Sequence, residues 1–126
     1  MELRKYAFSR QGGTMEQKDL GPTSIGMPAN QAALLSYAFG VITGIIFFVL
    51  EKQNKFVRFH AMQSIVVFGA LTVATMVLMI IPILGWLIAL VLYIVEFILW
   101  IVLMLKAYQG EYFKLPIAGD IAEKNS

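Results

Sequence analysis

Hydrophobic and polar positions divide the chain into a polar beginning, a long apolar middle and a short polar end. The apolar middle, residues 29–107, has one sizeable polar interruption, from Glu51 to Ser64, which reads Glu-Lys-Gln-Asn-Lys-Phe-Val-Arg-Phe-His-Ala-Met-Gln-Ser. We call these residues the central segment. A run of about 20 apolar residues can cross a bilayer as a helix, and such runs lie on both sides of the central segment. The pattern therefore predicts a membrane protein whose central segment lies at the lipid–water boundary.

The apolar runs predict three transmembrane helices, at about residues 30–50, 60–81 and 84–107. Pro82 and Gly85 predict a tight turn between the second and the third. Phe56 and Phe59 are three positions apart, which indicates a short interfacial helix directly after the first span. We expect both rings to enter the acyl boundary while Arg58 stays near the headgroups.

The ends of the chain are less apolar than its middle. Residues 1–28 contain several Gly and Pro residues and no apolar periodicity, so we predict a disordered polar tail there. Residues 29–119 are predicted to form the membrane domain, and residues 120–126 a loose C-terminal tail. The predicted fold is an all-α integral membrane helical bundle.

Composition supports the membrane class and narrows the function. Hydrophobic residues make up 59% of the chain and charged residues 14%, whereas soluble domains have roughly 45–50% and about 25%. The net charge of +2 and the lack of a basic stripe argue against a nucleic-acid partner. The chain has no cysteine and one histidine. Together with the absence of any phosphate-binding or nucleophile motif, this predicts no enzyme activity, no metal site and no cofactor.

The distribution of Lys and Arg predicts the orientation of the three spans. The central segment and the C-terminus would share one side, and that side has more basic residues close to the spans than the other. The positive-inside rule therefore places the loop of residues 51–59 and the C-terminus in the cytoplasm, and the N-terminus outside.

Small residues recur every fourth position in the first predicted span. They form a candidate helix-packing face, made of Ala32, Ser36, Gly40 and Gly44. Small side chains let two helix backbones approach closely in a membrane. The face could pack against another span of the same chain or against a second copy.

Glu96 lies near the middle of the third predicted span, where an ionised carboxylate costs at least about 2.5–3.5 kcal/mol. We therefore expect it to be protonated, paired or in contact with water. Thr72, Thr75 and Thr43 are predicted at similar depth, so a polar intramembrane site is possible. Glu96 could be part of a proton relay or an ion pathway, or it could be a neutral packing residue bonded to a threonine or a carbonyl.

His60, Gln63 and Ser64 form a second polar patch, at positions i, i+3 and i+4 of a helix. His60 could titrate near neutral pH, or it could be an interfacial residue bonded to a headgroup or to the last carbonyls of the first span. Glu51 and Arg58 could pair across the bend. The spacing is not that of a zinc-binding HExxH motif.

The central segment resembles the signature of a family of small bacterial and archaeal membrane proteins of unknown function. That family is described as similar to the Tic-twenty-like component of the chloroplast import translocon. The stretches 30–37, 108–110 and 115–119 also resemble family features, and the resemblance covers about residues 23–122. It implies a helical membrane bundle in a prokaryotic cell membrane, and a link to protein translocation. The motif match gives a candidate functional motif of Glu51, Phe56, Arg58, Phe59, His60, Gln63 and Ser64, with no assigned role.

Two functional interpretations follow. In the first, the chain is a non-enzymatic, oligomeric or partner-binding membrane protein whose central segment binds lipid headgroups or another membrane protein. In the second, it is a channel, a proton-linked transporter or a protein-translocation subunit with Glu96 in the pathway. Because three spans are too few to enclose a pore, the second interpretation requires a homo-oligomer or a membrane-protein partner.

Overall fold

The computed structural model describes residues 20–126, and the part of the chain that it describes is helical, without β-strands. The helices are α1 (Ala29–Ala38), α2 (Val41–Leu50), α3 (Lys55–Leu78), α4 (Leu84–Tyr108) and α5 (Ala118–Asn125). The predicted all-α class is confirmed. Residues 1–19 of the predicted disordered tail lie outside the described residues.

The first predicted span, residues 30–50, is not one helix. It is broken at Phe39 and Gly40, and Gly40 has a φ of 61°, which L side chains rarely adopt. Thr43 supports the break, because its hydroxyl accepts the N–H of Phe39 at 3.0 Å and donates to the carbonyl of Ser36 at 3.1 Å. Each half has 10 residues and is about 15 Å long, whereas a hydrocarbon core is about 30 Å thick. The prediction of three transmembrane helices is therefore wrong.

The two short helices form a hairpin that returns to the end of the bundle from which it starts. The residues before α1 contact the loop after α2: Asn54 Nδ2 donates to the carbonyls of Leu20 and Pro22 at 2.9 and 3.0 Å. The break between α1 and α2 lies beside the middle of α3, where Ser64 Oγ donates to the carbonyl of Gly40 at 2.8 Å. Residues 20–28 thus fold over the loop instead of extending away from it.

Two of the described helices, α3 and α4, are long and apolar enough to cross a membrane. The helix α3 begins at Lys55, where the Asn54 side chain accepts the N–H of Val57 at 3.0 Å and so caps the helix. Because nothing breaks the helix between Lys55 and Leu78, the residues of the predicted interfacial helix run directly into the second predicted span and form the first turns of α3. The bounds of α4 agree with the third predicted span.

The chain after α4 turns back along α3. Gly110 has a φ of 81° and allows this reversal, and α5 then packs against α3. Ala122 of α5 is fully buried, so residues 120–126 belong mostly to a packed helix and not to a loose tail. The bundle is therefore well packed at the end that holds both described termini.

The other end of the bundle is formed by the α3–α4 hairpin. Its side chains are mostly apolar and exposed; among them are Val73, Met76, Val77, Ile80, Leu84, Leu87, Leu90, Val91 and Ile94. Such a continuous apolar surface is rare on soluble monomers and is typical of a surface covered by lipid or by another protein.

Candidate functional site

Glu51 lies in the loop between α2 and α3, and its side chain is fully buried. Its carboxylate oxygens accept the N–H of Ser24 at 2.8 and 2.9 Å, and one of them also accepts the N–H groups of Gln53 and Asn54 at 3.1 and 2.8 Å. Burial acts to raise the pKa of this carboxyl, but the backbone donors favour its charged form and hold the pKa of Glu51 below its ordinary value. The charged side chain therefore ties the loop to the segment before α1.

The Arg58 side chain is hydrogen-bonded to backbone carbonyl groups at the end of α2. Its Nη1 donates to the carbonyl oxygens of Phe48 and Glu51 at 3.1 and 2.8 Å, and its guanidinium lies 4.1 Å from the centre of the Phe48 ring. The predicted ion pair of Glu51 and Arg58 is not formed: Arg58 bonds the Glu51 backbone carbonyl, and the Glu51 carboxylate accepts backbone N–H groups instead. A cation at the last carbonyls of a helix complements the helix dipole.

His60 is fully buried in a hydrogen-bonded chain that joins α1, α3 and the segment after α4. Its Nε2 lies 2.8 Å from the carbonyl oxygen of Glu111, and its Nδ1 lies 2.7 Å from the hydroxyl of Tyr37. Because a carbonyl oxygen only accepts, Nε2 carries the hydrogen and Nδ1 accepts the hydroxyl proton. The prediction that His60 bonds a lipid headgroup or the last carbonyls of the first span is therefore wrong. Its partners are Tyr37 and the carbonyl of Glu111.

Gln63 extends this chain and uses both ends of its amide. Its Nε2 donates to the Tyr37 hydroxyl and to the carbonyl of Phe113, both at 2.9 Å, and its Oε1 accepts the N–H of Leu115 at 3.0 Å. We call Tyr37, His60 and Gln63 the polar triad. All three side chains are fully buried and hydrogen-bonded, so they hold the C-terminal segment against α3.

Phe56 and Phe59 surround the polar triad with aromatic rings. They are 2% and 1% exposed, so the prediction that they enter the acyl boundary is wrong. Tyr112, in the segment that folds back over α3, covers them with ring centres 4.9 and 5.1 Å away, and burial raises the pKa of the Tyr112 hydroxyl. The sequence pattern did not indicate that the C-terminal segment would occupy this face.

The small-residue face packs inside the chain. Ala32, Ser36 and Gly44 are buried, and a Cβ atom on Gly44 would lie 3.0 Å from the carbonyl oxygen of Ala61. The backbones of α2 and α3 therefore approach closely at Gly44. The structure uses this face for contacts between helices of one chain.

Most polar groups of the candidate functional motif are thus engaged within the chain. Glu51, His60, Gln63 and Ser64 are all fully buried and have partners in the described residues. The side chains that the same region leaves exposed are those of Lys52, Gln53 and Lys55.

A second group of residues surrounds an open cavity of about 740 Å³ beside the break between α1 and α2. The cavity is lined by residues of the break, α3 and α4: Phe39, Gly40, Val41, Ile42, Phe68, Gly69, Thr72, Val73, Tyr93, Glu96, Phe97 and Trp100. Glu96 carries the only charged group among them. Within residues 20–126, its carboxyl has no hydrogen bond or ion pair.

The three threonines predicted near Glu96 have different surroundings. Thr72 lines the cavity with Glu96. Thr75 is buried, and its hydroxyl has no hydrogen-bond partner among the described residues. Thr43 supports the helix break, as described above, and does not line the cavity. The structure therefore brings Glu96 and Thr72 together, but not Glu96 and Thr43.

Sequence reasoning did not assign roles to Tyr37 and Trp100. Trp100 Nε1 donates to the carbonyls of Tyr37 and Ala38 at 2.8 and 3.2 Å and so bonds the last turn of α1. Both residues lie in apolar runs, where an aromatic side chain is also compatible with lipid contact. The only sequence feature that pointed to Tyr37 is its place in the stretch 30–37, which resembles the family.

Comparisons with known proteins agree with a small membrane-protein family. A family model described as the magnetosome magnetite crystal formation protein family matches residues 23–122. A UPF0132 membrane protein of Methanocaldococcus jannaschii is 54% identical over 107 residues, which are 85% of this chain and 96% of the relative. Another, of Archaeoglobus fulgidus, is 48% identical over 98 residues, 78% of this chain and 95% of the relative. No solved structure matches the chain.

The relatives are archaeal and are named membrane proteins, which confirms the predicted membership of a small membrane-protein family. The predicted link to the Tic-twenty-like component is not shown by these matches. The chain belongs to the magnetosome magnetite crystal formation protein family, together with archaeal UPF0132 membrane proteins.

Proposed function

We propose that the chain is an integral membrane protein without enzyme activity that binds and releases a proton at Glu96, as one subunit of a proton-linked transport assembly. The observation that carries this proposal is the position of Glu96, which lines an open cavity at a helix break and has no partner in residues 20–126. This is the second interpretation of the sequence. The first is less well supported, because most polar groups of the central segment are used inside the chain.

The surroundings of Glu96 favour a change of protonation state. An ionised carboxylate near the middle of a membrane helix costs at least about 2.5–3.5 kcal/mol, so apolar surroundings favour the neutral acid. The other titratable group on the cavity wall is the Tyr93 hydroxyl, and α1, α2 and α3 contribute no charged side chain to the wall. Entry of water or of a cation would stabilise the carboxylate, and a proton would then leave.

The helix break supports the same function. Non-helical backbone at membrane depth is tolerated where it is buried in protein or lines a water-filled cavity, and broken helices form the substrate and ion sites of many transporters. Here Phe39 and Gly40 combine both features, since they form the break and also line the cavity of Glu96.

The proposed arrangement in the membrane has two crossing helices, α3 and α4, and a hairpin of α1 and α2 that enters and leaves on one side. Both described ends of the chain lie on that side. Each Lys and Arg in residues 20–126 belongs to that end of the bundle or to the segments beyond it, namely Lys52, Lys55, Arg58, Lys106, Lys114 and Lys124. The turn between α3 and α4 has none. The positive-inside rule therefore places this end in the cytoplasm of a prokaryotic cell.

Two crossing helices do not enclose a pore. The proton path therefore requires further copies of the chain or another membrane protein beside the open cavity. The family description refers to magnetite crystal formation, but no three His, Asp or Glu side chains in residues 20–126 lie close enough together to hold a metal ion. Proton binding at Glu96 needs no such cluster.

The test is modification by dicyclohexylcarbodiimide, which enters lipid and reacts with protonated carboxyl groups. The protein is reconstituted in liposomes and digested, and the modified peptide is identified by mass. We expect labelling at Glu96 at neutral pH, less labelling as the pH rises, and none in Glu96→Gln. The exposed carboxyl of Glu123 serves as the control and should stay unlabelled. A correctly inserted protein in which Glu96 stays unmodified at every pH would overturn the proposal.

A further inference from the structure

We infer that the cavity beside Glu96 binds a lipophilic organic cation, with the Glu96 carboxylate as its counter-charge and aromatic rings around its apolar body. This inference rests on the proposed function and names the substrate class of the same site.

The shape of the cavity suits a small amphiphilic molecule. Its volume of about 740 Å³ lies within the roughly 300–1,000 Å³ that is typical of small-molecule sites. The wall is mostly apolar and includes five aromatic rings: Phe39, Phe68, Tyr93, Phe97 and Trp100. Because the cavity is open and its surroundings are apolar, a ligand dissolved in the membrane could reach it directly.

The charge of the cavity selects a cation. Among the described residues that line it, Glu96 carries the only charged group, so within residues 20–126 an anion would meet one negative charge and no positive one. A cation would be attracted by this negative charge and also by the faces of the aromatic rings, since such faces attract positive charge within about 6 Å. The ring centres of Phe97 and Trp100 lie 5.9 Å apart, so they present neighbouring apolar surfaces on the wall of the cavity that Glu96 also lines.

The same wall does not suit a calcium or magnesium ion. Calcium takes 6–8 oxygen ligands, and magnesium demands near-ideal octahedral geometry. In the part of the chain that the structure describes, the side-chain oxygens of the wall come from Glu96, Thr72 and Tyr93 alone. A large organic cation needs few oxygen ligands, because its charge is spread over a weakly hydrated surface.

Binding would exchange one proton for one cation. The neutral Glu96 acid loses its proton to water, and the resulting carboxylate pairs with the bound cation, so the charge of the occupied cavity does not change. The proton and the organic cation therefore compete for the two carboxylate oxygens of Glu96. Affinity for the cation should therefore fall as the pH is lowered.

The experiment measures binding of tetraphenylphosphonium to the full chain in detergent micelles, by quenching of tryptophan fluorescence. The chain has two tryptophans, so Trp86→Phe leaves Trp100 on the cavity wall as the only reporter. We expect saturable quenching that weakens at lower pH and at least a tenfold weaker affinity in Glu96→Gln. Glu123→Gln, which removes an exposed carboxyl far from the cavity, should bind like the parent protein.

Tetraphenylborate provides the matched ligand control, since it carries four phenyl groups and the opposite charge. Equal quenching by both ions, or unchanged tetraphenylphosphonium affinity in a folded Glu96→Gln, would overturn the inference. Carbodiimide labelling of Glu96 without tetraphenylphosphonium binding would overturn the inference and leave the proton-binding function standing. Failure of both measurements would identify Glu96 as a packing residue.

Discussion

Both carboxylate oxygens of Glu51 accept the backbone N–H of Ser24, at 2.8 and 2.9 Å. In return, Ser24 Oγ accepts the N–H of Lys52 at 3.1 Å. These contacts join the segment before α1 to the loop just after α2. The hairpin of α1 and α2 therefore starts and ends on one side of the bundle, whereas a single span over residues 30–50 would place these residues on opposite sides.

The first prediction concerns this topology. The chain has no cysteine, so single cysteines can be introduced at exposed positions and labelled from either side of a sealed vesicle with a membrane-impermeant maleimide. We expect Pro22→Cys, Gln53→Cys and Lys124→Cys to react from one side and Ile80→Cys from the other. If three helices crossed the membrane, Pro22→Cys would instead react from the same side as Ile80→Cys. The chain without an introduced cysteine serves as the control for background labelling.

The second prediction concerns the stability that Glu51 provides. Glu51→Gln keeps the size of the side chain but removes the charge and turns an amide donor toward N–H groups that need an acceptor. Leaving buried donors unpaired costs about 1–3 kcal/mol, so we expect a loss of that order in the free energy of unfolding in detergent. Glu123→Gln removes a carboxylate from an exposed ion pair with Lys114, and because such pairs add little stability, it should change the free energy of unfolding much less. Equal effects of the two variants would contradict the role of Glu51.

The third prediction concerns acid. Because the pKa of Glu51 is lower in the folded protein than in the unfolded chain, its charged form stabilises the fold at every pH above the unfolded value of about 4.3. This contribution is lost as the pH falls below that value and through the folded pKa. In thermal unfolding at a series of pH values, the parent protein should lose more stability on the acid side than Glu51→Gln. Parallel curves for both proteins in acid would refute the assignment.

The fourth prediction concerns the polar triad. Tyr37→Phe removes the hydroxyl that donates to His60 Nδ1 and accepts from Gln63 Nε2. His60 Nδ1 then stays buried without a donor, whereas Gln63 keeps its bond to the Phe113 carbonyl. We expect a loss of about 1–3 kcal/mol in the free energy of unfolding. Tyr93→Phe removes an exposed hydroxyl and should leave the stability unchanged, so equal losses in the two variants would argue against the triad.

The sequence predicted the helical class, α4 and the family because long apolar runs and a long motif are local signals. It did not predict that the first run would be two helices. Gly40 is compatible with a continuous membrane helix. Its positive φ depends on hydrogen bonds to the backbone at the break, which come from Thr43, Ser64 and Trp100 on three different helices. Likewise, the sequence predicted Phe56 in lipid. It gave no sign that Tyr112 folds back over α3 and covers Phe56, because this tertiary contact produces no periodic pattern.

The last prediction separates packing within the chain from packing between copies. In Gly44→Ala, the added methyl group would lie 3.0 Å from the carbonyl oxygen of Ala61 and 3.1 Å from Ile65 Cγ1, so α2 and α3 must move apart. Such overpacking typically costs about 1–3 kcal/mol. In Gly69→Ala, on α3, the methyl group would meet only Val41 Cγ2, at 3.9 Å. That variant should be neutral or gain up to about 1 kcal/mol from helix propensity.

The readout is the unfolding temperature of a detergent-solubilised sample at several protein concentrations. If Gly44 packs within the chain, the loss in Gly44→Ala is the same at every concentration, because no association step is involved. A loss that appears only where the parent protein is oligomeric would instead place the small-residue face between copies. Gly69→Ala controls for the general effect of adding a methyl group to a helix of this bundle.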